Sequence, residues 1–138
     1  MHTSDSKQWL RTAVLVGTVY FVIGIAFSAF ARMPGSNPKT WNLLSFVISA
    51  VVFAIHLRYE HFRLHNSPRI TALHVSMAVA LGAFALAVSA NVHGIIVGSN
   101  RQGLLAFALV AWPAMTAVPA FLLALAAAAG LALKRRKT

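Results

Sequence analysis

A chain of 138 residues, 59% hydrophobic and 10% charged, with a mean hydropathy of +0.73, carries too little charge to cover a soluble domain. Its net charge of +10 would suit nucleic acid in a soluble protein. Here the basic residues stand at the ends of apolar stretches, so anionic lipid headgroups are the expected counter-surface and nucleic acid is not. The absence of cysteine excludes disulfides, thiolate metal sites and thiol redox chemistry.

The first polar segment carries Lys7 and Arg11, with Trp9 placed for a membrane interface. The apolar stretch that follows ends in Ala29-Phe30-Ala31, which has the form of a signal cleavage site. It is longer than the roughly 7–15 residues of a signal core, so it reads as a retained helix. Within it, Gly24 and Ser28 form a small-xxx-small pair that would let another helix come close. Arg32 to Asn37 is a turn. Asn37-Pro38 then places an N-cap before a proline at the first helical position, and Ser67-Pro68 repeats that signal. Nothing breaks the second helix before Asn66, so it is expected to run about two turns past its apolar part.

Asn91 to Gly98 reads as the next connection, and Ser99 with Gln102 has the spacing of a capping box. The fourth helix, of about 30 residues, is longer than a bilayer needs. Pro113 and Pro119 are expected to bend it or widen a turn between about Ala106 and Pro119, with Thr116 relieving the freed carbonyls. The predicted fold is therefore all-α: one domain over residues 1–138, a four-helix transmembrane bundle with spans at about 12–31, 40–57, 70–90 and 104–133.

Lys and Arg residues set its orientation. Lys7, Arg11, Arg58, Arg63, Arg69 and the Lys134-Arg135-Arg136-Lys137 tail lie on one side, against Arg32, Lys39 and Arg101 on the other. That imbalance places both termini in the cytoplasm, with a basic loop between helices 2 and 3, in an inner or plasma membrane of bacterial type. A weak two-helix parallel repeat also appears: Ser28-Ala29, Gly35-Ser36-Asn37 and Leu43-Leu44 recur as Ser89-Ala90, Gly98-Ser99-Asn100 and Leu104-Leu105.

No Asp or Glu falls inside an apolar span, which argues against a carboxylate-centred ion antiporter. The mid-span polar groups are hydroxyls, notably Tyr20, Ser45, Ser49 and Thr116, of the kind that bond back to a helix. Candidate chemistry gathers instead between His56 and His74. If helix 2 continues, His61 and His65 share a face with Arg58, at a spacing that presents two imidazoles to one metal ion, and the hairpin brings His74 to within about one helical turn of the level of His61. His56, Tyr59, Glu60 and Arg63 occupy the opposite face, and Glu60 pairs along the helix with His56 and Arg63. A haem reading uses His56 and His74 as axial ligands from two helices. Against the metal stand the neighbouring Arg58, Arg63 and Arg69 and the shortage of acids. The plainer reading makes these arginines and Lys134, Arg135, Arg136 and Lys137 a surface for lipid headgroups or phosphate, with no cofactor.

The expected function is non-enzymatic: a small membrane component that associates with itself or with a larger membrane complex. The alanines of helix 4 (Ala117, Ala120, Ala124, Ala127 and Ala128) offer the contact face. The alternatives are a small-solute transporter or channel lined by a kinked helix 4, and a metal-, haem- or lipid-phosphate-binding hairpin.

Overall fold

The computed structural model describes residues 3–136, and the side chains of 7–133. Four helices account for nearly all of it: α1 (Thr3–Ala31), α2 (Pro38–Arg58), α3 (Pro68–Ile96) and α4 (Gln102–Arg136), with a π turn (Tyr59–Arg63) closing α2. Each is long and apolar enough to cross a membrane. Helix starts follow the sequence where cap and proline coincide. The Asn37 side chain accepts the Lys39 amide at 3.0 Å, and the Ser67 hydroxyl accepts the Ile70 amide at 3.4 Å.

Short turns make sequence neighbours antiparallel. One end of the bundle carries the start of α1, the end of α4 and the α2–α3 turn; the other carries the α1–α2 and α3–α4 turns. Helix α3 is the centre, packed on α4 along one flank and α1 along the other, while α2 lies mainly against α1. The interior is built from small residues. Ala72, Val75 and Ala78 of α3 and Ala124 and Ala128 of α4 are fully buried. Large apolar side chains such as Leu15, Ile96, Phe107 and Val110 are exposed. That inversion is what a hydrocarbon solvent permits, since helices there gain from close backbone approach rather than from hiding leucines. The tightest approach is between α1 and α3, where an added Cβ at Gly82 would stand 2.9 Å from the Gly17 carbonyl.

Several expectations need correction. The first polar segment is helical from Thr3, and Trp9 stacks on His74 with ring centroids 4.9 Å apart. Helix α3 continues to Ile96, so Asn91 is a helical residue rather than the start of a turn. Its amide donates to the Ala87 carbonyl at 2.9 Å and to the Leu105 carbonyl at 2.6 Å, and thereby clasps α3 to α4. The reciprocal Ser99–Gln102 box is replaced: Ser99 accepts the Arg101 amide, and Gln102 reaches back to the Gly94 carbonyl. Helix α4 stays α-helical through Pro113 and Pro119, with no widened turn. The Thr116 hydroxyl bonds the Trp112 and Pro113 carbonyls, both at 3.0 Å. The widened turn occurs instead at the end of α2. The alanine face of α4 is largely spent inside the chain, because Ala120, Ala124 and Ala128 are buried and only Ala127 of that set is exposed. Gly24 does let another helix come close, and that helix is α3, through Leu86.

Candidate functional site

Two features gather the polar side chains: a buried cluster at the end carrying the termini, and a groove along the bundle.

The cluster centres on Glu60, which is fully enclosed. Its Oε2 accepts from Asn66 Nδ2 at 2.7 Å and lies 2.9 Å from His74 Nδ1. Its Oε1 faces His56 Nε2 at 3.6 Å, too long for a hydrogen bond but close enough for attraction to a protonated ring. His74 in turn is backed by the flat face of Trp9. One carboxylate thus joins α2, the α2–α3 turn and α3, and through His74 reaches α1. The π turn delivers it: buried residues fall at His56, Leu57, Glu60 and His61, an arc facing α3. Such turns are rare and tend to appear where a helix is adapted to a task.

The helix ends at Arg63, and His65 takes the left-handed conformation at φ 52°. The premise that helix 2 runs through His65 therefore falls. His61 faces inward, while Arg58 and His65 face outward. His61, His65 and His74 are not brought together, and among the described residues no three His or acidic side chains form a group able to hold a metal ion. His56 and His74 do approach each other, but on opposite oxygens of the Glu60 carboxylate, which occupies the space between them. Arg58, Arg63 and Arg69 are exposed, Arg58 lying over the Phe62 ring at 5.5 Å. The side chains of Lys134, Arg135 and Arg136, and all of Lys137, lie outside the described residues. Glu60 does not pair with Arg63; its partners are His56, His74 and Asn66. The sequence signal for this was the presence of a lone acid within a hairpin rich in His and Arg, since a buried carboxylate must find donors.

The second feature is a groove floored by α1 and α3 and walled by α2 and α4. Its middle section, about 470 Å³, is lined by Tyr20, Ser45, Ser49 and Thr116 among mostly apolar side chains. These four hydroxyls are drawn from three different helices. The Tyr20 hydroxyl is buried without a hydrogen-bond partner. A wider section of about 870 Å³ opens at the end with two turns, where Arg32 and His93 line it. Both sections share Gly24, Leu86 and Trp112, so they meet. Neither a known protein family, nor a curated protein, nor a solved structure matches the chain.

Of the two, the cluster is shaped to hold the fold. Its carboxylate is fully enclosed, with the buried rings of His56 and His61 beside it. The groove is shaped to admit something.

Proposed function

We propose that the chain is a non-enzymatic integral membrane protein that acts by taking a small molecule into the groove between α2 and α4. The observation that carries this reading is the convergence of Tyr20, Ser45, Ser49 and Thr116 on one cleft at the mid-height of four apolar helices. Polar groups at that depth are expensive unless they bond to their own helix, as Thr116 does, to one another or to a ligand, and the buried Tyr20 hydroxyl has no partner within the chain. The solute-path alternative thereby gains over association through α4, whose alanines are already occupied. Self-association or membership of a larger complex remains compatible with the exposed outer face of α2.

The reading is tested by native mass spectrometry of protein extracted in mild detergent. A retained small-molecule adduct is expected on the wild type, and its loss in Ser49→Phe, which fills the groove without touching the Glu60 cluster. Wild-type protein that carries no adduct, or only further copies of the chain, would overturn it.

The nine-to-three split of Lys and Arg supports an orientation with both termini and the Glu60 end in the cytoplasm. Because the chain has no cysteine, single thiols report cleanly. A thiol at Ser36→Cys is expected to react with an impermeant reagent added to intact cells, and one at Ser67→Cys is expected not to. The opposite pattern would invert the topology.

A further inference from the structure

The wide mouth of the groove carries a charge that the chain does not answer. Arg32 is exposed there and lines the same hollow as His93. Its guanidinium spends two donors on Ser28, Nε on the carbonyl at 3.1 Å and Nη2 on the hydroxyl at 3.2 Å. A guanidinium has about five N–H donors, so roughly three remain for another acceptor. The chain has two acids, Asp5 and Glu60, and both belong to the opposite end of the bundle. A counter-charge for Arg32 therefore has to come from outside the protein. Directly beneath it, the groove turns apolar and continues past Gly24 and Leu86 toward Tyr20. Along α1, Gly24 lies about 12 Å below Arg32 and Tyr20 about 18 Å below it, at 1.5 Å per residue. One leaflet of hydrocarbon is about 15 Å deep, half the thickness of a bilayer core. An anionic head above one acyl chain matches both the charge and the length.

We infer that this groove is a binding site for an anionic phospholipid of the leaflet on the Arg32 side. The phosphate accepts from Arg32 and from the His93 imidazole, and one acyl chain lies along Gly24 and Leu86. The inference rests on the groove reading above and names its ligand class. It is distinct from the basic surface of Arg58, Arg63 and Arg69, which lies at the other end of the molecule. Arg32 is the positioning charge, and the groove supplies the selectivity that an exposed arginine alone would lack.

Trp112 lines both sections and provides the readout. In a Trp9→Phe, Trp41→Phe background, the protein is placed in phosphatidylcholine vesicles. These contain a minor fraction of lipid with brominated chains, either phosphatidylglycerol or phosphatidylcholine. Quenching of Trp112 is expected to favour the anionic lipid by about fivefold in apparent affinity, the preference one basic residue gives near an anionic head. Arg32→Gln with His93→Gln should abolish the preference, and Arg32→Lys should retain most of it. Both altered residues are exposed, so helical circular dichroism and detergent mass should stay unchanged. Equal quenching by the two lipids in wild type would overturn the headgroup site while leaving the groove occupied. Absence of quenching by either would overturn the groove reading as well. Loss of the preference on adding inorganic phosphate, but not chloride at equal ionic strength, would mean a free-anion site and overturn the lipid.

Discussion

Replacing Glu60 by alanine is expected to destabilise the fold by roughly 3–5 kcal/mol, the range for removing one member of a buried, hydrogen-bonded charge cluster. The loss has two parts. The Asn66 amide and the His74 ring, both partly exposed, lose their acceptor, each toward the lower end of the about 1–3 kcal/mol for a group left unpaired. The truncation also leaves a hollow beside His56, Leu57 and His61, all of which are buried. Glu60→Gln keeps the shape and one acceptor oxygen but gives up the charge and sets an amide against donors, so a smaller loss is expected. Unfolding in graded SDS, followed by circular dichroism, would measure both. A double-mutant cycle between Glu60→Gln and His74→Phe should yield a coupling well above zero, because the pair is 2.9 Å apart. Alanine at position 60 with wild-type stability would show that the cluster does not hold the helices.

That cluster also marks the boundary of what the sequence revealed. Four helices of spanning length were legible, because apolar runs of that length have few other uses and the Asn37-Pro38 and Ser67-Pro68 caps punctuate them. Helix ends governed by long-range contacts were not. Asn91 and Gln102 look like turn residues, yet each is satisfied by a carbonyl on the neighbouring segment. Reading α2 as a regular helix put His61 on the outer face, but the π turn changes the angular step at Tyr59 and carries His61 inward. Periodicity cannot announce such a turn. Tyr20, Ser45, Ser49 and Thr116 could be named from the sequence, but their meeting in one groove could not, since it depends on which faces of three helices look toward each other. The α1–α2 and α3–α4 turns each hold a left-handed glycine, Gly35 at φ 77° and Gly98 at φ 63°. The second half is nevertheless packed far more closely than the first, which blurs any repeat between them.

Wedging α1 from α3 at their crossing is the other large effect, because there the two backbones nearly touch. A Cβ placed on Gly82 would stand 2.6 Å from the Tyr20 Cβ and 2.9 Å from the Gly17 carbonyl oxygen. Neither neighbour can swing aside, since one is anchored at the helix and the other is backbone. Relief requires the helices to separate. Overpacking of a rigid contact costs about 1–3 kcal/mol, so Gly82→Ala is expected near the middle of that range and Gly82→Leu at about 3 kcal/mol. Gly24→Ala makes a useful contrast: its Cβ would meet the Leu86 side chain, Cδ1 and Cδ2 at 2.7 and 2.8 Å and Cγ at 3.2 Å, and that side chain can change rotamer. Gly130 has nothing within 4 Å, so alanine there should be neutral or stabilise by about 0.5–1 kcal/mol through helix propensity. The groove gives the series a second readout. Tyr20 and Gly82 both line its middle section, so a shift of α1 should also reduce adduct retention in Gly82→Leu. An order of loss in SDS unfolding of Gly82→Leu, then Gly82→Ala, then Gly24→Ala, with Gly130→Ala unaffected, is the expected result. Equal effects at all three positions would mean that α1 and α3 do not cross at Gly17 and Gly82 in the membrane.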